Sequence, residues 1–218
     1  MPRERNEIFR ESNSRQKEKI IVLAFEGNIA EEEYFEELKI IDDFNEDLIY
    51  LHLLKRPRND TNSAPNHVFN KLKREAKEEY NFDKKDELWM IIDTDRWKNI
   101  PSIISLCKAQ GNMFVAVSNP CFEVWLLLHV YQEIASITEE DKINLLENRR
   151  ISTTKRYIDK FLGDSLKDGY NKRNPRVKRF IENVRQAIVE AKSIHINEED
   201  FPSKLGTDVF KVVEKLLK

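Results

Sequence analysis

Glycine is scarce in this chain, five among 218 residues, and the scarcity rules out a glycine-rich, lysine-containing loop of the kind that cradles nucleotide phosphates. No nucleotide loop of that kind is expected in these residues. Cysteine is scarcer still: Cys107 and Cys121 each sit in an apolar stretch, so no disulfide framework is expected, neither reads as a zinc ligand, and a reducing cytoplasmic setting fits. Apolar runs such as residues 124–128 fall far short of a bilayer, and residues 1–19 carry mixed charge without a hydrophobic signal core, so no membrane partner is expected. An excess of one charge is missing too. The 37 basic and 39 acidic side chains nearly cancel, and net charge neither favours nor excludes nucleic acid. Internal repeats and low-complexity segments are also lacking.

What is present is enough apolar material, 40% of residues, for one well-buried core. The charge is polarised along the chain. Residues 26–48 hold ten acids against Lys39 alone, whereas residues 149–192 hold thirteen bases against five acids. Two solvated helical faces that attract each other would explain this, as would a basic surface for phosphate backbones beside an acidic metal site.

Ile20 to Phe25 is a continuous apolar run that suits a strand buried on both faces. Residues 30–40 follow with helical spacing, residues 48–54 read as a strand, 66–80 as a helix, 87–92 as a strand, 100–110 as a helix closed by Gly111, and 113–117 as a fourth strand. Strands separated by helices predict an α/β fold with a doubly wound parallel sheet of about four strands. Beyond Ser118 the strand signal stops, and segments 121–131, 142–147, 155–162, 174–192 and 207–218 read as helices. The expected organisation is a polar arm at 1–19, an α/β core at 20–131 and a helical extension at 132–218 packed on it. In segment 174–192, Asn174 is the expected N-cap with Pro175 in the first turn, and Val177, Phe180, Ile181, Val184 and Ile188 form one apolar stripe.

Two acidic signals fall where strands end, Glu26-Gly27 after the first and Asp93-Thr94-Asp95 after the third. The carboxyl ends of parallel strands share one rim, where sites form in open α/β folds. Carboxylates converging there make a hard oxygen site for Mg2+ or Mn2+, and phosphodiester cleavage calls for such an ion to neutralise developing charge and to lower the pKa of a water. Gly27 lets backbone approach a phosphate closely. Turn chemistry alone also recruits aspartate, and Glu31, Glu32, Glu33, Glu36 and Glu37 read as the wet face of a helix.

These features are similar to the Toprim pattern of topoisomerases, primases and OLD-type nucleases. More specifically, Phe25-Glu-Gly-Asn-Ile-Ala-Glu-Glu-Glu-Tyr-Phe35 and Ser118-Asn-Pro-Cys-Phe-Glu-Val-Trp-Leu-Leu-Leu-His129 resemble the two signature segments of RloB-like proteins, an AbiLii-like antiphage group with a Toprim-like core. Gly169 to Lys172 and Pro202 to Phe210 extend the resemblance over nearly the whole chain beyond the arm. It departs at Ala30, where the pattern usually has threonine, and at Asn28, where lysine is frequent. The resemblance implies a metal-dependent nuclease of DNA or RNA, with Glu26, Asp93 and Asp95 as metal ligands, and an ABC/SMC-like ATPase as partner.

The second signature and the basic half add candidates. Asn119 reads as an N-cap with Pro120 in the first helical turn, a start that would offer free N–H groups to phosphate. Glu123 is either a catalytic or second-layer carboxylate or a helix-start charge. His129 is either a satisfied core residue or a general acid/base. Tyr170, Lys172, Arg173, Arg176, Lys178 and Arg179 read as a strip that tracks a phosphate backbone while the tyrosine stacks on a base, or as a solvated face. Two rival classes stand beside the nuclease. One is a non-catalytic subunit binding nucleic acid or the ATPase. The other is a phosphatase-like hydrolase using Asp93 and Asp95, whose pattern expects the pair after the first strand and a small residue where Trp97 stands. A homo-oligomer is compatible with all three.

Overall fold

The computed structural model describes residues 17–27, 29–55, 64–79, 82–94, 97–196 and 200–218. Most of the 1–19 arm, Asn28 and Asp95 lie outside the described residues.

The chain alternates β1 (Lys19–Phe25), α1 (Ala30–Leu38), β2 (Ile49–Leu54), α2 (Pro65–Glu79), β3 (Glu87–Asp93), α3 (Ile100–Lys108) and β4 (Met113–Asn119). It continues through α4 (Glu123–Leu127), α5 (Glu139–Glu147), α6 (Tyr157–Asp164), α7 (Lys178–Ile181), α8 (Val184–Ser193), β5 (Gly206–Thr207) and α9 (Val209–Leu216). The sheet runs β2-β1-β3-β4-β5, parallel throughout except for β5. The α/β class and the four parallel strands agree with the alternating pattern. The fifth strand was not expected: two residues, Gly206 and Thr207, carry too little pattern to announce themselves, and they pair because Ser118 and Asn119 leave the edge of β4 open.

Alternate residues of each strand face opposite ways, and the burial divides accordingly. Val22, Ala24, Leu88, Met90 and Ile92 pack on α2 and α3 through Phe69, Leu72, Ile103 and Cys107. Ile21, Leu23, Phe25, Trp89 and Ile91 face α1, α4 and the helices after residue 132, whose Leu162, Phe180, Val184 and Val213 enter the same apolar cluster. The helical extension is thus the second covering layer of the sheet and shares the core of α1. Among the described residues no helix is long and apolar enough to cross a membrane.

Three local expectations are corrected. Asn119 is not an N-cap: it is the last residue of β4, joined to Pro120 by a cis peptide, and α4 starts later, behind Phe122, without a side-chain cap. The amide of Asn119 is used instead to join segments, accepting from Thr94 Oγ1 at 2.7 Å and donating to the Pro202 carbonyl at 3.0 Å. Segment 174–192 is not one helix from an Asn174 cap. Arg176 takes a left-handed φ of 51° and the helix breaks between α7 and α8 around Asn183, although the apolar stripe is buried as the pattern predicts. The third concerns Tyr170, which is 4% exposed and therefore has no free ring face for a base.

Candidate active site

β1 and β3 are parallel neighbours, so their carboxyl ends deliver Glu26 and Asp93 side by side. Glu26 Oε2 accepts the Asp93 backbone N–H at 3.0 Å, and Oε1 accepts the Trp97 indole N–H at 2.7 Å. Two donors from one connection thus fix the carboxylate of Glu26 against the end of β3. Trp97 itself has a positioning contact here that its sequence neighbourhood did not reveal.

A cavity of about 180 Å3 opens at this rim. Glu26, Gly27, Glu31, Asp93, Glu123 and Lys172 line it, with Arg173 and, from the α5–α6 region, Asn148, Arg156 and Asp159. Glu31 was expected on a wet face; it is 6% exposed. The reason lies four residues earlier. A Cβ on Gly27 would stand 2.1 Å from Glu31 Oε1, so the glycine gives the Glu31 carboxylate its place. That spacing of Gly27 and Glu31 was the available signal, hidden in a run of glutamates.

Burial sets the electrostatics. It pushes the Glu31 carboxyl up to about 7, opposed by the Lys172 charge and reinforced by Glu123 and Glu26. Asp93 is held well above the ordinary carboxylate range by burial first and then by the charges of Glu31 and Glu26. Glu123, 1% exposed, would also be raised by burial, but the Lys172 ammonium overcompensates and its pKa falls. Lys172 Nζ lies 2.9 Å and 3.1 Å from the two oxygens of Glu123, and the Tyr170 hydroxyl donates to Oε1 at 3.2 Å. Burial works against the charge on Lys172, yet Glu123, Asp93 and Glu31 together hold its pKa well above the usual lysine value. The side chain is 56% accessible and lays its charged end on the Glu123 carboxylate.

Other candidates sit elsewhere. His129 is 2% exposed in the core, where Nδ1–H donates to the Trp125 carbonyl at 2.8 Å and Nε2 accepts from the Tyr34 hydroxyl at 3.0 Å. Both ring nitrogens are taken, burial lowers its pKa to about 3, and it does not line the cavity. The structure therefore corrects the acid/base reading of His129 in favour of a packed core histidine. Tyr34→Phe should cost about 1–2 kcal/mol by orphaning Nε2 and lower Tm accordingly, with any catalytic rate per folded molecule unchanged; a rate that falls with Tm intact would restore a role for the ring.

Arg176 and Arg179 pair with Asp168 at 2.6 Å and 2.5 Å. Together with Lys178 they line a groove whose other wall is Glu32, Glu33, Glu36 and Glu37 of α1. This part of the basic strip is arranged against the acidic helix, as two attracting faces would be. Lys172 and Arg173 alone of the strip reach the cavity.

Hard oxygen donors from Glu26, Glu31, Asp93 and Glu123 suit Mg2+ or Mn2+ in kind, and the raised pKa values of Glu31 and Asp93 reflect burial first and neighbouring carboxylates second, both of which a divalent ion would offset. Among the described residues no three His, Cys, Asp or Glu side chains already stand in a metal-holding arrangement. Compared with curated proteins and with solved structures, the chain matches none. The family model for RloB-like protein matches residues 21–216, from the third residue of β1 to the last of α9, and so takes in both faces of the sheet and every cavity residue. On that match the chain belongs to the RloB-like protein family.

Proposed function

We propose that this chain is a metal-dependent phosphodiester hydrolase, the nuclease-type effector of an antiphage defence system that works with an ABC/SMC-like ATPase. The observation that carries the reading is the gathering of Glu26, Glu31, Asp93 and Glu123, with Lys172, around a single cavity at the carboxyl ends of adjacent parallel strands. The family resemblance supports the nuclease class and the ATPase partner, and the five glycines fit a chain that leaves nucleotide hydrolysis to that partner.

Glu26, Glu31 and Asp93 would hold the ion, with Asp95 as a further ligand from outside the described residues. When bound, the ion supplies charge neutralisation at phosphate oxygens and a water of lowered pKa. The chain does the rest. Trp97 and the Asp93 N–H keep Glu26 from swinging away. Lys172 holds Glu123 ionised and presents a positive charge at the cavity, where a phosphate oxygen would meet it. Ile29 and Ile158 contribute apolar walls that limit water.

Single-stranded and duplex DNA and RNA should be incubated with the protein, alone and with its ATPase partner, in Mg2+, in Mn2+ and in EDTA. Cleavage in the metal lanes and none in EDTA is the expected result. Cleavage that persists in EDTA would remove the metal from the reading. Binding without cleavage under every condition would make the chain a non-catalytic nucleic-acid subunit instead.

A further inference from the structure

Residues 148–158, Asn-Arg-Arg-Ile-Ser-Thr-Thr-Lys-Arg-Tyr-Ile, contain four cations, three hydroxyl side chains of serine and threonine, and no acid. The fold makes a finger of them. Arg150 and Arg156 pair as an antiparallel bridge, Ile151 N–H and Ser152 N–H both donate to the Lys155 carbonyl at 3.0 Å and 3.2 Å, and the Ser152 hydroxyl accepts from Thr154 and Lys155 N–H. At the base, Tyr157 N–H donates to the Arg149 carbonyl at 2.9 Å and Ile158 N–H to Asn148 Oδ1 at 3.2 Å. Residues 149–155 are exposed, while Asn148 and Ile158 are buried. The tip is thus solvent-facing and cationic, yet held by its own hydrogen bonds.

Its position gives the finger a use. Asn148, Arg156, Ile158 and Asp159 at its base form one wall of the carboxylate cavity, and Arg173 stands at the same opening. Arg150 and Lys155 form no ion pair among the described residues, in contrast to Arg176 and Arg179, which are committed to Asp168. An acidic cavity repels a polyanion, so a phosphate chain needs a positive surface beside the opening to be drawn in. The carboxylates at the floor are nearly inaccessible, Glu123 at 1%, Glu31 at 6% and Glu26 at 7%, and the cavity of about 180 Å3 leaves no room for paired bases to accompany a phosphate.

From these observations we infer that the 149–156 finger is a nucleic-acid-binding element that grips the backbone of an unpaired strand next to the phosphate entering the cavity. The inference rests on the hydrolase reading for the identity of the ligand, and its test is a binding measurement that does not depend on cleavage. Full-length protein in EDTA is titrated against fluorescently labelled single-stranded DNA and RNA, with anisotropy as the readout. Arg150→Gln with Lys155→Gln should lower the slope of log affinity against log salt by about 1.4, two contacts at about 0.7 each for a single strand. Arg150→Glu with Lys155→Glu should weaken binding about tenfold or more. These positions are exposed, so unchanged Tm is expected and checked. Arg176→Glu with Lys178→Glu should leave affinity within about twofold.

Wild-type affinity in the finger variants overturns the inference, as does a loss confined to the 176/178 pair or a wild-type protein that binds no strand at all. Unlabelled duplex should compete poorly, and a duplex competing as well as the single strand overturns the assignment to unpaired nucleic acid. A protein that binds through the finger but cuts nothing leaves this surface standing and removes the hydrolase. One that cuts while finger variants bind normally does the reverse.

Discussion

Asp93→Asn should yield a folded protein that cuts no nucleic acid and gains no thermal stability from Mg2+ or Mn2+. The substitution keeps the shape and removes one charge from a cluster in which Glu26, Glu31, Asp93 and Glu123 share one cavity. Because burial and the charges of Glu31 and Glu26 already hold the Asp93 pKa well above the ordinary range, the metal-free variant should be as stable as the parent or slightly more so. The parent, in contrast, should gain about 2.7 kcal/mol at a metal concentration about a hundred times Kd. For a domain of this size that is a Tm rise of about 5–10 °C. Differential scanning fluorimetry with and without Mn2+ reads both effects, and cleavage reads the third. Full metal-dependent cleavage by Asp93→Asn would show that the acidic site is misassigned.

The same cluster sets a pH dependence for the metal-free protein. Glu31 is raised to about 7, so between the ordinary carboxylate range and about pH 7 the folded state keeps a proton that the unfolded chain has lost. Stability therefore falls as pH rises through that window, and Asp93, raised for the same reasons, adds to the fall. Glu123 has the opposite sign, because its lowered pKa gives stability that is lost only at pH below the ordinary range. Metal-free protein should thus melt higher near pH 5 than near pH 8. Saturating Mn2+ should flatten or invert the difference by favouring the ionised carboxylates.

The legible part of the site lay on the sheet. A continuous apolar run ending in Glu26-Gly27, and another ending in Asp93, place two carboxylates at strand ends by periodicity alone, and adjacency of β1 and β3 then brings them together. Glu31 was not legible because it stands first in a row of three glutamates, two of which are only partly buried; what separates it is the space over Gly27, a fact of three dimensions. The basic half misled for a related reason. Charge counted along residues 149–192 does not say which cations are already spent, and the fold commits Arg176 and Arg179 to Asp168 while sending Lys172 into the cavity. Asn119-Pro120 looked like a helix start because Asn followed by Pro is favoured there. Strand β4 extends to Asn119, and the Asn119 amide bonds Thr94 and Pro202 instead.

Lys172→Met is the substitution that separates charge from packing at this cavity. It preserves much of the apolar stem and removes the ammonium from Glu123, leaving a 1% exposed carboxylate beside Glu31 and Asp93 with the Tyr170 hydroxyl but without its ion-pair partner. Breaking a fully buried pair costs about 3–5 kcal/mol. Here the lysine side chain is 56% exposed, so solvent screens part of the interaction and about 2–3 kcal/mol is expected, a Tm fall of about 5–10 °C. Adding Glu123→Gln should restore more than half of the loss, since the orphaned acid is then gone and an amide oxygen can still accept from Tyr170. If the cavity also takes a divalent ion, Mn2+ should stabilise Lys172→Met at least as much as the parent, by supplying the missing positive charge. Cleavage should nonetheless fall, because the ion does not replace the ammonium that meets the phosphate. An unchanged Tm for Lys172→Met would mean that this pair contributes nothing to the fold, and a drop that Glu123→Gln fails to relieve would place the cost in the lost lysine stem and not in the buried charge.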